Sequence, residues 1–335
     1  MDKLVFVTRC TRISGKGHFY RVLRMAEVLA EFRSVIIVVD DFNFEEVDGK
    51  FDVSIKRLDT SNPSTLIAAL NLSRRDIIWF DVPDADYDMI GAFGRFDIPL
   101  VSMNMFDRAH ELRLEDISIH PVFAPNHKEI FCNGRKTVQL SGADYITVPN
   151  NFFCEVDDFD DVVLVTMGGT DPMKFTSWVI RAISLIGETS FQFKVILPDN
   201  LCKDELSNKY RAISHMEFYE FGELDFATEL KRASYALING GMTRYECVAA
   251  NTFFIALSIH AQQVALSEKV TKFNYGHNFG LFDENECVSL AEYLCRLPKY
   301  DANARAIDHD SPVLIKNAAA LIYERILMEL NNEDE

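Results

Sequence analysis

Residues 4–39 read LVFVTRCTRISGKGHFYRVLRMAEVLAEFRSVIIVV, and this stretch decides the fold class. Leu4–Val7 is an apolar run of strand length, followed by the glycine-bearing loop Ser14-Gly15-Lys16-Gly17. From His18 the apolar positions are Phe19, Val22, Leu23, Ala26, Leu29 and Ala30, which line one face of a helix. Val35–Val39 is a second run of buried-strand character. Strand, helix and strand within about 40 residues form a βαβ unit, and such a unit pairs its strands in parallel.

Outward from this unit the pattern continues through Ile77–Phe80 and Pro99–Ser102. It restarts at Val162–Met167, where the turn Gly168-Gly169-Thr170-Asp171-Pro172 follows. Asp171 reads as an N-cap there, with Pro172 at the first helical position. Phe193–Leu197, Tyr235–Ile238 and Phe253–Leu257 read as further strands. Helices are expected over 172–187, 225–233, 242–250, 261–273, 287–296 and 313–330. A chain of 335 residues is near the limit of one core, so two lobes are expected. The expected fold is α/β: two Rossmann-like lobes with parallel sheets and a central cleft. The lobes are assigned to 1–155 and 156–312, with 313–335 forming a terminal helix and an acidic tail. Pro149-Asn150-Asn151 and the acidic run 157–161 interrupt the periodicity near the boundary.

Lys plus Arg is 34 and Asp plus Glu is 51, a net charge of −17. So acidic a chain lacks the basic surface that nucleic-acid backbones need, and no nucleic acid is expected as a partner. A small phosphorylated ligand remains possible, because backbone amides and helix ends bind phosphate locally. The cysteines number seven, an odd count, and no C-x-x-C pair occurs. That speaks against a disulfide framework and a zinc ribbon, and for reduced thiols in the cytoplasm. The first apolar run is too short for a signal peptide, and no run approaches the roughly 18 apolar residues of a spanning helix, so no membrane insertion is expected.

Four strand-to-helix turns carry residues able to do chemistry. Gly15, Gly17 and His18 place flexible backbone and a titratable ring at one helix start. Gly168, Gly169 and Thr170 form a second candidate anion-binding turn. Asn239-Gly240-Gly241-Met242-Thr243-Arg244-Tyr245-Glu246 is the third: its glycine amides suit a diphosphate, and Glu246 suits two vicinal hydroxyls. The fourth, Ser258-Ile259-His260-Ala261-Gln262-Gln263, offers amides and an imidazole. Each turn alone also reads as an ordinary connection, with Glu246 as a favourable first-turn charge. Three glycine turns together are harder to dismiss, because ligands of open α/β sheets gather at strand carboxyl ends. Asp84–Asp88 begins like a calcium loop but has Met89 and Arg95 where Gly and Glu are required. His120 and His127 have no zinc-ligand spacing. No G-K-[ST] P-loop and no G-x-S-x-G elbow occurs.

In order along the chain, Gly15-Lys16-Gly17-His18, the strand ending at Asp81, Phe106-Asp107, Gly142-Ala143-Asp144-Tyr145, Met167-Gly168-Gly169-Thr170-Asp171, the glycine pair leading to Glu246, and Gln262-Gln263 resemble a known family. It is that of the nucleotide-sugar hydrolases of the pseudaminic acid pathway, with its spore-coat polysaccharide relatives. The family is itself similar to the glycosyltransferase that adds N-acetylglucosamine to lipid I. The resemblance implies a GT-B fold, a UDP-sugar substrate held mainly by the C-terminal lobe, and hydrolysis with neither metal nor other cofactor. In that pathway water attacks the anomeric carbon of a UDP-2,4-diacetamido-2,4,6-trideoxy-hexose with inversion, and UDP leaves. It further implies His18, Asp81 and Gln262 as the catalytic set, Gln262 standing where the family has Asn. The ligand-binding set is Gly15, Gly17, Gly168, Gly169, Thr170, Gly240, Gly241, Met242, Thr243, Glu246 and Gln263. Two alternatives stay open: an inverting GT-B glycosyltransferase, and a non-catalytic nucleotide-sugar-binding protein. The oligomeric state is left open.

Overall fold

The computed structural model describes residues 2–10, 17–40, 53–83, 86–104, 114–123, 128–132, 135–153, 159–169, 171, 173–299 and 311–331. The chain divides into two units, Met1–Thr147 with Ile315–Glu335, and Val148–Leu314.

The first unit runs β1 (Lys3–Arg9), α1 (Gly17–Ala30), β2 (Ser34–Asp40), β3 (Ser54–Arg57), α2 (Pro63–Leu70), β4 (Ile77–Asp81), α3 (Met89–Phe93), β5 (Leu100–Met103), β6 (Ile117–His120), β7 (Lys128–Cys132) and β8 (Arg135–Ser141). Among the described residues its sheet has the order β3-β2-β1-β4-β5-β6-β8-β7. All neighbours pair in parallel except β7, which lies antiparallel to β8. The sheet is parallel as expected, with the antiparallel strand β7 added at this edge. The dipeptide Asn133-Gly134 between those two strands is a strong short-range hairpin signal in the sequence.

The apolar face of α1 packs Phe19, Val22, Leu23, Ala26 and Leu29 against Leu4, Phe6, Ile37 and Trp79. On the other face of the sheet, Val5, Val7, Ile78 and Phe80 pack against Leu66 and Leu70 of α2 and Ile90 and Phe93 of α3. The ends of α2 are written in its sequence. The Asn62 side chain accepts from the Thr65 amide, Pro63 opens the helix, and Asn71 closes it in the left-handed conformation.

The second unit repeats the scheme with β9 (Asp160–Thr166), α4 (Phe175–Ser184), β10 (Gln192–Leu197), α5 (Lys203–Lys209), β11 (Met216–Glu220), α6 (Phe226–Arg232), β12 (Ala233–Asn239), α7 (Thr243–Ala249), β13 (Phe253–Ser258), α8 (Ala261–Thr271), β14 (Gly276–Leu281) and α9 (Cys287–Cys295). Its strands are all parallel, in the order β11-β10-β9-β12-β13-β14. Val163, Val165, Phe193, Val195, Leu237 and Ile255 form its core with Val179, Ile183, Leu290 and Leu294 from α4 and α9. The last helix, α10 (Ala318–Asn331), sets Ala318, Ala319, Ile322, Tyr323 and Ile326 into the α1 side of the first unit's core. The stretch 313–335 thus contributes its helix to the first unit.

All eight apolar runs are strands. Two helix starts differ from expectation for a backbone reason. Asp171 and Lys174 both have positive φ, 34° and 60°, so α4 begins at Phe175 rather than 172. Asn317, at φ 56°, likewise delays α10 to Ala318 rather than 313. The strands β6 and β8 carry no continuous apolar signal because their inward residues on one face are polar. Ser118, His120, Thr137, Gln139 and Ser141 are all buried. They belong to a network around Glu115, which accepts from Ser102 Oγ at 2.8 Å and from the Tyr87 hydroxyl, while Asn104 Nδ2 donates to Ser118 Oγ at 2.8 Å. Among the described residues no helix is long and apolar enough to cross a membrane.

The fully buried Ile322 ties α10 to the first unit's core. Ile322→Ala should cost about 2–5 kcal/mol through the lost methyl groups and the cavity left behind. A lower urea midpoint at unchanged slope in chemical denaturation is the expected reading.

Candidate functional site

In the first unit β1 and β4 end level with each other, with Thr8 beside Asp81. Side chains alternate along β4, so Asp81 shares the α1 side with Ile77 and Trp79. It is fully buried. On α1, His18 and Arg21 are one turn apart and share a face. Three groups meet there. His18 Nδ1 is 2.7 Å from Asp81 Oδ1. Arg21 Nε donates to Asp81 Oδ2 at 2.6 Å, and its Nη2 donates to Oδ1 at 2.5 Å. Arg21 Nη2 also lies 3.4 Å from His18 Nδ1.

Burial alone raises the Asp81 carboxyl. The Arg21 guanidinium and the hydrogen bonds from Arg21 and His18 outweigh it and hold the group down at about 2, so Asp81 is an anion. A carboxylate accepts only, so the neutral ring carries its proton on Nδ1 and leaves a lone pair on Nε2. His18 is 24% exposed through its side chain, and no described residue bonds Nε2. The arrangement can take a proton from a group in front of Nε2 and stabilise the cation that results. Nearby, Arg9 pairs with Asp86 at 2.8 Å. The buried Thr8 hydroxyl has no hydrogen-bond partner among the described residues.

In the second unit the strand ends form another polar row. Asn239, the last residue of β12, donates from Nδ2 to the Met167 carbonyl at 2.8 Å and accepts from the Gly241 amide at 3.1 Å. This ties the turn after β9 to the turn after β12. Gly168 has φ 91°, a conformation that disfavours side chains, and the Asn239 amide lies against it. Gly240 is required by contact. A Cβ there would lie 2.7 Å from Ser258 Oγ and 2.9 Å from Gln263 Cβ. Asp171 is buried and accepts from the Phe175 and Thr176 amides at 2.8 and 2.7 Å, so it is the expected capping residue of a helix that begins later than expected, at Phe175. Burial raises its carboxyl, because only neutral amides and a side-chain hydrogen bond oppose the desolvation.

The sequence candidates separate on this geometry. His18 and Asp81 are brought together, and the buried Arg21 joins them from the edge of α1 outside its apolar stripe, where nothing in the local sequence singled it out. Gly15 and Thr170 lie outside the described residues, as do Phe106 and Asp107. A Cβ at Gly17 or Gly169 would meet nothing among the described residues. The Gly240 amide donates to the Leu257 carbonyl at 2.7 Å, and the Gly241 amide is held by Asn239, so both shape the turn from within. Met242 and Thr243 begin α7, and Glu246 lies half-buried in its first turn. Arg244, missed as a candidate, is buried and donates to the Gly240 carbonyl at 2.7 Å, locking that turn to its helix. His260 caps α8 by accepting from the Gln263 amide, while Gln263 Oε1 accepts from the Ile259 amide at 2.9 Å. The Gln263 NH₂ and one lone pair of Oε1 therefore remain for another partner. Gln262 is exposed. His120 is buried and bonds Ser118 Oγ at 3.0 Å. Among the described residues no group of three or more His, Cys, Asp or Glu could hold a metal ion.

No family model matches the chain. An uncharacterized protein of Methanocaldococcus jannaschii is 22% identical over 269 residues, covering 73% of this chain and 53% of that protein. The chain thus spans about half the length of that curated relative. Similar solved structures include the spinosyn forosaminyltransferase SpnP, with a TM-score of 0.64 and 12% identity over 98% of this chain and 99% of that one. Acinetobacter baumannii MurG follows at 0.61 and 12%, over 97% and 99%. The UDP-GlcNAc 2-epimerase of Neisseria meningitidis bound to UDP-GlcNAc gives 0.60 and 14%, over 97% and 100%. This likeness shows the fold: two Rossmann-like parallel-sheet units of the GT-B type.

The Asp81 carboxyl is near 2 in the folded chain against an ordinary 3.8, so protonation favours the unfolded state. The stabilisation is present above about pH 4 and is lost as pH falls toward about 2, an amount of roughly 2 kcal/mol. Asp81→Asn strands the buried Arg21 and should cost about 3–5 kcal/mol near neutral pH. Denaturation curves of the two proteins across this range should differ by the acid-dependent component that the variant lacks.

Proposed function

We propose that the chain hydrolyses a UDP-activated deoxyamino sugar, of the UDP-2,4-diacetamido-2,4,6-trideoxy-hexose type, releasing free sugar and UDP in surface-glycan biosynthesis. The observation that carries this reading is the His18 ring, held through Nδ1 on an ionised, buried Asp81 at the carboxyl end of a parallel sheet, so that the lone pair of the neutral ring lies on Nε2, which no described residue bonds. Ligands of such sheets gather at that edge. The resemblance of the glycine turns and of His18 to the nucleotide-sugar hydrolases supplies the substrate class. The fold shared with a UDP-GlcNAc 2-epimerase bound to UDP-GlcNAc is in keeping with it.

In this mechanism His18 supplies the base, and UDP is the leaving group. Water attacks the anomeric carbon while Nε2 of His18 takes its proton, a role worth on the order of 10²–10⁴-fold. The bond from the anomeric carbon to the diphosphate oxygen breaks, and UDP departs with the electron pair. The imidazolium formed faces the Asp81 carboxylate. Amides of Gly169, Met242 and Thr243 are the donors for the developing diphosphate charge, since those of Gly240 and Gly241 already serve the protein. Glu246 accepts from the ribose hydroxyls. No step calls on a metal.

A second reading is transfer of the sugar to an acceptor hydroxyl in place of water, favoured by the transferases among the similar structures. The chemistry at His18 is the same. Incubation with a panel of UDP-sugars, with and without acceptors, separates the two: hydrolysis predicts UDP release without any acceptor, and acceptor-dependent release would establish transfer instead. His18→Asn should abolish turnover while UDP affinity, read by calorimetry, stays nearly intact. Glu246→Ala should weaken UDP binding by about 1.5–3 kcal/mol, the worth of a charged hydrogen bond.

A further inference from the structure

Arg21 has no place in the proton transfer itself, yet it makes the closest contacts in the cluster. The Asp81 carboxylate can rotate about its terminal bond, and only one orientation presents Oδ1 to His18. Arg21 removes that freedom. Its Nε and Nη2 engage one oxygen each, at 2.6 and 2.5 Å, a two-point fork that a single charge cannot make. The fork is built on α1, one turn from His18, so ring and guanidinium are presented from the same helix. The strand end that carries Asp81 closes the triangle, with His18 Nδ1 at 2.7 Å from Oδ1 and at 3.4 Å from Arg21 Nη2. Phe19, Val22 and Leu23, all in the core, hold that helix turn against the sheet. Arg21 is 8% exposed and Asp81 is 0% exposed, so no bulk water competes for the pair.

We propose that Arg21 is a positioning residue: by gripping both oxygens of Asp81 it fixes the carboxylate that dictates the tautomer of His18, and so keeps Nε2 available as the base. The catalytic consequence rests on the hydrolase reading; the tautomer does not. Free histidine favours the proton on Nε2, the opposite arrangement, so the cluster has to impose the reactive form.

The test uses the full-length chain labelled with ¹⁵N-histidine, with the His18 ring assigned by its loss in His18→Gln. At a pH where the ring is neutral, the wild type should show a protonated Nδ1 and an unprotonated Nε2. Arg21→Lys keeps a cation but loses the fork, and the ring should shift toward the Nε2-protonated form. Arg21→Gln should shift it further. On the nucleotide-sugar that the wild type turns over, both variants should lower kcat by about 10²-fold, the scale of a small misplacement, with UDP affinity within about twofold of wild type. The proposal is overturned if the wild-type ring carries its proton on Nε2, or if either folded variant keeps the wild-type tautomer. If Arg21→Gln does not fold, Arg21→Lys decides by the same reading. Should no UDP-sugar be turned over, the hydrolase reading fails while the tautomer still decides the role of Arg21.

Discussion

Parallel strands cannot be joined by a tight turn, because each connection must return along the length of the sheet before the next strand begins. Every parallel strand in a sheet therefore ends at the same edge, and the residues just after the strands are gathered there without being neighbours in sequence. This constraint gathers the described candidates at the strand ends. Asp81 comes level with Thr8 because β1 pairs with β4, and His18 reaches Asp81 because the first crossover is α1. In the second unit the same constraint sets Asn239 against Met167 and Gly240 against Ser258.

The two units treat a buried carboxylate in opposite ways. Asp81 faces a guanidinium, and that charge outweighs the cost of burial and keeps the group ionised to about 2. Asp171 faces two backbone amides, which satisfy its oxygens without repaying the lost hydration, and its carboxyl is raised. The difference suits their places. The first anion dictates the proton of a neighbouring ring, while the second fixes a turn and the start of α4.

Arginine is used inward in both units. Arg21 grips a carboxylate, and Arg244 grips the Gly240 carbonyl. Each is buried on the first turns of the helix that follows a strand, so each locks a strand end to its helix. In an acidic chain these internal cations shape the turns at the strand ends.

The sequence by itself determined the parallel α/β class, because the run Leu4–Val7, the helical face from Phe19 to Ala30 and the run Val35–Val39 admit only a crossover connection. It also pointed to His18, Asp81 and the glycine turns, since residue type and place at a strand end are local properties. It did not show β6 or β8, whose buried face carries Ser118, His120, Gln139 and Ser141, because burial of polar groups depends on partners such as Glu115 and Asn104 that come from elsewhere in the chain. Nor did it show that the amides of Gly240 and Gly241 are engaged within the protein, that Gln263 is half-committed to capping α8, or that α10 belongs to the first unit's core. Arg21 was visible only as a charge beside the apolar stripe of α1. What it grips, 60 residues away, is decided by the pairing of β1 with β4, which no local pattern specifies.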